Sequence, residues 1–408
     1  MAVIVPGRRK RRLRGAGGLT VLAAVAALSA ITLPAQAAPV QGRIQGAGEP
    51  GAVAGSYIVT LKGGTRAPSE AGKDLATKYG AKIRHTYSNA LNGYAVRADA
   101  ARAERLAADP DVASVVQDTA VTYDHTDHTQ ENPPSWGLDR VDQKDLPLDK
   151  SYTWPESAGA GVTVYVIDTG IRRTHKDFGG RASSGWDFVD NDAVAQDGNG
   201  HGTHVAGTVA GTKYGIAKKA NVVAVRVLDD SGSGTTAQVI AGIDWVTKHA
   251  TKPAVANLSL GGYANAQLDQ AVRNSIASGV TYTVAAGNDG LPASLYSPAR
   301  VKEAITVGAT NRKDARASFS NWGTRVDLFA PGVDITSASF ASDTGKATYS
   351  GTSMASPHAA GAAALYLADH AWATPAEVSK ALVEEAVPGR VTGAGPGSPN
   401  RLLQVNHT

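Results

Sequence analysis

Residues 56–62, Ser-Tyr-Ile-Val-Thr-Leu-Lys, alternate in the manner of a strand, and residues 68–79 carry helical spacing that ends at Gly80. Strand-like runs at 82–87 and 93–96, a helix over 100–108 stopped near Pro110, and a Val- and Thr-rich strand over 112–123 follow. The order strand, helix, strand, strand, helix, strand predicts a small α+β domain of ferredoxin-like topology over 56–124.

From Trp136 the pattern changes. Short apolar runs at 162–167, 222–228, 255–260, 280–286 and 304–307 alternate with helical stretches at 202–210, 237–249 and 267–278. Strands that are apolar on both faces belong to a parallel sheet covered on both sides, so residues 136–408 predict an α/β domain with a doubly wound, mostly parallel sheet. Such a sheet places its site beyond the carboxyl ends of its strands. Residues 38–55, rich in Ala, Gly and Pro, read as a linker. Residues 125–135, with Asp127, Asn132 and Pro133-Pro134, read as an exposed connector open to cleavage.

Composition agrees with two packed units: of 408 residues, 42% are hydrophobic and 45 are glycine, which excludes a disordered or fibrous chain. The net charge of +4 suggests a nucleic-acid partner until the charges are located. Arg8, Arg9, Lys10, Arg11, Arg12 and Arg14 stand without an acid in the first 37 residues, and removing them turns +4 into −2. No excess then remains to follow a phosphate backbone, and nucleic acid is dropped as a partner. The same leader has an apolar stretch over 19–33 and ends in Ala35-Gln36-Ala37, so residues 1–37 read as a signal peptide. An apolar stretch of about 15 residues is short for a membrane anchor, and no later stretch is longer, so the processed chain is expected to be secreted and free of the membrane. The absence of cysteine excludes disulfides, leaving core size and bound ions, calcium among them, to stabilise the exported protein.

Four polar residues fall where this sheet would hold a site. Asp168 follows the run 162–167; alone, it reads more readily as a turn aspartate. His201 lies in Asp197-Gly-Asn-Gly-His-Gly-Thr-His204 at the head of a helical run. Alone, it also reads as a capping imidazole; a metal site with His204 is disfavoured because the neighbouring sequence offers no third ligand. Ser353 opens a helix whose small residues let it bury all round, with Gly351 permitting close approach and Pro357 expected in the first turn; alone, Ser353 equally reads as a cap. Asn288, after Gly287, is either a turn residue or an amide donor. Together the four supply acid, base, nucleophile and, with the Ser353 N–H, two donors for an oxyanion, which is what acyl transfer through an activated serine requires.

Rival chemistries fit less well. An esterase of the other common Ser-His-Asp fold predicts Gly-x-Ser-x-Gly and the order Ser, Asp, His, whereas Ala355 stands two residues after Ser353 and the order is Asp, His, Ser. A noncatalytic descendant would lack a member of the set, and Gly232-Ser233-Gly234 with Ala237 is only a fragment of a dinucleotide fingerprint.

Three blocks, Val166-Ile-Asp-Thr-Gly170, Gly200-His-Gly-Thr-His-Val-Ala-Gly207 and Gly351-Thr-Ser-Met-Ala-Ser-Pro-His358, closely resemble the active-site blocks of the subtilisin-like serine proteases, the peptidase S8 family. Trp136-Gly137-Leu138, Asp197-Gly198-Asn199 and Leu228-Asp-Asp-Ser-Gly-Ser-Gly234 resemble its proteinase K branch, and residues 56–124 resemble the family's I9-type inhibitory propeptide. The resemblance implies a secreted serine endopeptidase acting through an acyl-enzyme: Ser353 attacks, His201 carries the proton, Asp168 holds the imidazole and Asn288 stabilises the oxyanion.

It also implies that Ser259-Leu260-Gly261-Gly262 and Ser231-Gly232-Ser233 (with Gly234) sandwich an extended peptide as an added strand, with Ala286 and Gly287 bordering the first pocket. Gly261, Gly262 and Gly287 leave that pocket open, and these segments hold no acid to select Lys or Arg. Broad cleavage favouring apolar or aromatic residues before the scissile bond is expected. Thr235-Thr236 stand where the proteinase K branch often has a bulky aromatic rim. A structural calcium is implied at Asp327 with the carbonyls of Lys302 and Ala304. The expected partners are protein or peptide substrates of a monomer, and its own propeptide as intramolecular inhibitor and chaperone, self-cleaved near residues 124–131.

Overall fold

A computed structural model of the chain describes residues 42–48, 52–119 and 128–405; the signal-peptide reading of 1–37 lies outside them. Contacts divide the chain into two units, Met1–Tyr123 and Asp124–Thr408.

The first unit contains β1 (Ile44–Gln45), β2 (Ala52–Leu61), α1 (Glu70–Lys78), β3 (Lys82–Tyr87), β4 (Gly93–Arg97), α2 (Ala100–Ala107) and β5 (Val112–Thr119). The strands form one sheet in the order β1-β5-β2-β4-β3. Alternate residues of β2, Tyr57, Val59 and Leu61, pack with Tyr94 and Val96 against Leu75 of α1 and Leu106 of α2. Ser69 and Asp99 accept backbone N–H groups at the two helix starts, as capping residues should. Part of the expected linker is sheet: β2 begins at Ala52, and Ile44–Gln45 pairs with β5. Small residues hide this extension, and Gly55 at φ +72° lies where the register of β2 shifts, so no clean alternation marks it.

The second unit opens with β6 (His128–Glu131), α3 (Trp136–Val141), β7 (Ser151–Trp154), β8 (Thr163–Asp168), β9 (Ala182–Asp187), α4 (His201–Ala210), β10 (Asn221–Arg226) and α5 (Thr236–His249). It continues with β11 (Ala254–Leu258), β12 (Gly262–Tyr263), α6 (Ala266–Ala277), β13 (Thr281–Ala285), β14 (Tyr296–Ser297), β15 (Ile305–Thr310) and β16 (Leu328–Pro331). Last come β17 (Ile335–Ala338), β18 (Lys346–Tyr349), α7 (Thr352–Asp369), α8 (Pro375–Glu385), β19 (Val387–Pro388) and β20 (Arg401–Leu402). Nine strands form one sheet, β19-β20-β16-β15-β13-β11-β8-β10-β9, parallel except for the β19–β20 pair.

Both faces of this sheet are buried, which is why its strands read as unbroken apolar runs. Val164 and Val166 of β8 pack with Val205 and Val209 of α4 and the Ala-rich α7 on one face. Tyr165 and Ile167 pack with Ile243 of α5 and Val272 of α6 on the other. At the start of the unit, β6 pairs antiparallel with β7, so the second half of the stretch 124–131 is held as strand.

Candidate active site

The carboxyl ends of β8, β11 and β13 meet the amino ends of α4 and α7 where the strand order leaves β8 towards β10 on one side and β11 on the other, the switch point of a doubly wound sheet. Asp168 closes β8 and is fully buried. Its Oδ1 accepts the Thr169 N–H at 2.7 Å and lies 2.7 Å from Nδ1 of His201, the first residue of α4. A carboxylate only accepts, so Nδ1 carries the proton and Nε2 of the neutral ring is left as the basic nitrogen. Gly202 permits this approach, because a Cβ there would collide with the Gly170 carbonyl and press on Asp168. Asp197, buried beneath the loop, accepts from the Thr169 hydroxyl and from the N–H groups of Asn199, Gly200 and Thr203, fixing the entry into α4.

Burial works against a charged His201, but the charge of Asp168, its hydrogen bond and the charge of Asp197 outweigh it, so the imidazole pKa lies above the ordinary histidine value. His204 has the opposite setting. It is buried, its Nε2 donates to the Ile335 carbonyl at 2.9 Å, its ring stacks on Tyr349, and desolvation drives its pKa down to about 4. The two histidines face different partners, which removes the paired-metal alternative.

Ser353 is the second residue of α7, within the first turn whose N–H groups have no intrahelical acceptor. Its Oγ–H donates to the Ser259 carbonyl at 3.0 Å; acid and base are joined, while the bond from nucleophile to base is not made. Such bonds often form only when substrate is bound. Pro357 departs from expectation: it stands in the second turn, not the first. Having no N–H, it leaves the Ser353 carbonyl without its i+4 donor, and the Ser259 hydroxyl donates there instead at 2.8 Å. Ser259 thus grips the nucleophile residue at both ends. It is held in turn by Asn257, whose Nδ2 donates to Ser259 Oγ and whose Oδ1 accepts from Thr283 and Ser356. Asn257, Thr283 and Ser356 were not foreseen: buried polar residues inside apolar segments leave no periodic signal.

Asn288 follows β13. Its Oδ1 accepts the Thr352 N–H at 2.8 Å and the Thr352 hydroxyl at 2.9 Å, which assigns the flip of the amide and leaves the Nδ2 hydrogens free. Gly287, at φ +102°, has no room for a side chain beside Asn321, whose Nδ2 donates to the Ala286 carbonyl and whose Oδ1 accepts from Asp289 and Leu291. Asn321 therefore shapes the turn that presents Asn288.

A pocket of about 340 Å³ opens beside Ser353. Leu260, Gly261 and Gly262 line it from one segment and Ala286, Gly287 and Asn288 from another. Tyr263, Asp289 and Tyr296 also line it and were not foreseen. Asp289 gives the pocket an acid that its glycine segments lack. Desolvation, followed by a hydrogen bond to Asp289 and the carboxylate's charge, raises the Tyr296 phenol.

Ser231, Gly232 and Ser233 are not in this pocket. They form an exposed turn around Asp229, whose Oδ1 accepts from the Ser231 and Ser233 N–H groups and the Ser231 hydroxyl. The turn is tied down through Asp230, whose carboxylate pairs with Arg226 at 2.8 Å and whose carbonyl accepts from Asn199 near the base. Arg226 also pairs with Asp187 and Asp190.

Asp327 precedes β16. Its Oδ2 accepts the Thr306 N–H at 2.7 Å, and burial, offset by that bond and by Arg325, raises its pKa to about 6. A carboxylate desolvated without a paired cation suits a hard ion completed by carbonyls, and the expected carbonyl donors, Lys302 and Ala304, lie just ahead of β15. No cluster of three or more His, Cys, Asp or Glu able to hold a metal occurs among the described residues, so Asp327 would be the single charged ligand.

Residues 159–403 match the model of the "Subtilase family" and residues 56–124 that of "Peptidase inhibitor I9". An extracellular serine proteinase of Thermus sp. (strain Rt41A) is 47% identical over 95% of this chain and 98% of its own. A cuticle-degrading serine protease of Arthrobotrys oligospora is 43% identical over 94% of this chain and 98% of its own. Among solved structures, a cold-adapted subtilisin-like serine proteinase is 53% identical, covering 68% of this chain and 99% of its own with a TM-score of 0.66.

Proposed function

The chain belongs to the subtilase family of serine endopeptidases and carries an inhibitor I9 domain ahead of its peptidase domain, and from that premise we propose that Ser353, His201 and Asp168 hydrolyse peptide bonds through an acyl-enzyme. The observation that carries this reading is the 2.7 Å pair between buried Asp168 and His201 Nδ1 at the head of α4, beside a serine in the first turn of α7. In this reading Nε2 of His201 takes the Ser353 proton as Oγ attacks, then returns it to the leaving amine, while Asp168 steadies the imidazolium. The Ser353 N–H and the Asn288 amide receive the oxyanion. Such an amide is worth about 10² to 10³ in kcat, a magnitude known from subtilisin itself.

The substrate lies as an extended strand between Ser259–Gly262 and Ser231–Ser233, held by main-chain bonds, which gives broad cleavage with a preference for apolar or aromatic residues at the pocket. Asp327, with the Lys302 and Ala304 carbonyls, would hold a calcium ion that contributes stability only. The I9 domain acts as intramolecular inhibitor and folding aid, and is removed by a cut ahead of the paired strand β6. Export is supported by the extracellular name of the Thermus relative, and no helix among the described residues is long and apolar enough to cross a membrane. Casein hydrolysis by the wild type and its loss in Ser353→Ala test the mechanism; full activity in that variant would refute it.

A further inference from the structure

We propose that Tyr263 is a specificity-determining residue that stacks on the side chain before the scissile bond and makes the enzyme select flat aromatic residues over branched aliphatic ones. This rests on the serine endopeptidase reading above and assigns the selectivity of its pocket to one side chain. The two-residue strand β12 pairs antiparallel with β14 in a register that sets Tyr263 opposite Tyr296. Their rings stack with centroids 5.9 Å apart at 21°, and both line the pocket beside Ser353.

The two rings differ in burial. Tyr296 is 9% exposed, whereas Tyr263 is 85% exposed. One ring is fixed wall; the other has most of its surface in water at the rim. Gly262 leaves the space beside it clear, since a Cβ there would meet nothing within 4 Å. Next to Tyr296, the Leu295 carbonyl accepts the Ala264 N–H, which extends the pairing of β12 with β14 by one bond. A planar side chain entering the pocket covers the Tyr263 ring and gains an aromatic contact beyond plain burial; a leucine gains the burial alone.

The test compares kcat/KM of the processed enzyme on matched peptide anilides bearing Phe or Leu before the scissile bond. Tyr263→Ala is expected to lower the Phe substrate about 3- to 10-fold while the Leu substrate changes less than about 2-fold, and Tyr263→Phe to keep the wild-type ratio. Equal loss on both substrates, no loss on either, or loss of selectivity in Tyr263→Phe would overturn the proposal. In each of those cases the wild type still cleaves both substrates; a wild type that cleaves neither refutes the underlying protease reading and this inference with it.

Discussion

The two units bury different things. In the first, one sheet face and two short amphipathic helices enclose a small apolar core, and the sole carboxylate buried among its described residues is Asp109, which Lys78 and Tyr79 approach from α1 and its end. The second buries Arg140 with Asp314, Arg226 with Asp187, Asp168 beneath His201, and uncharged histidines at 204 and 358. Buried charges are costly, and a unit can hold them only where enough apolar surface is buried around them. Two cores, one on each face of a nine-stranded sheet, supply that surface. The contrast follows the two families: a small inhibitor I9 unit with an almost uncharged core, and a large subtilase unit that holds prearranged charge.

The largest effect that would sharpen this contrast is on catalysis. Asp168→Asn should lower kcat by about 10⁴, and because it removes the charge that raises the His201 pKa, the acid limb of the kcat/KM profile should move to lower pH. An unmoved limb would mean that Asp168 does not act through His201. Next is stability: Arg226→Ala leaves Asp187 buried without its cation and should cost about 3–5 kcal/mol in denaturant unfolding of the inhibited, processed enzyme.

The counterpart in the first unit should be smaller. Asp109→Ala removes the acceptor of Tyr79, Lys78 and the Asp111 N–H and is expected to cost about 1–3 kcal/mol in unfolding of the inactive Ser353→Ala precursor followed by probes in the first unit. A cost equal to that of Arg226→Ala would break the comparison. The mildest test perturbs nothing: in an NMR titration, His201 should charge at a pH above about 6.5, the ordinary histidine value. His204 and His358 should stay neutral until about pH 4, because desolvation disfavours their charged forms. With the folded pKa below the unfolded one, the unfolded state binds more protons as pH falls below about 6.5, so both histidines oppose the fold increasingly down to about pH 4 and leave it unopposed at neutral pH.

Much of this was legible along the chain. The runs at 162–167 and 280–286 became β8 and β13, and the helical stretch at 237–249 became α5 with its capping box at Thr235. Periodicity records which side of an element is buried, so it survives folding unchanged. The elements missed were short, such as α3 and β12, or, like α8, rested on cues weaker than a long apolar run. Of the proposed calcium site, only the Asp327 carboxylate carries a residue-type signal; Lys302 and Ala304 came from the family resemblance, since carbonyl donors carry no residue identity.

By itself, the sequence determined the two units, the local settings of Asp168, His201, Asn288 and Ser353, and through its motif blocks the family. The tertiary structure decided how those residues are held: Ser259 filling the gap that Pro357 leaves at the Ser353 carbonyl, Asn257 beneath it, Asp230 tethered by Arg226, and Tyr263 facing Tyr296 across a two-residue strand. Each depends on register between segments distant in sequence. Local propensity and periodicity are blind to register; only the packed chain fixes it.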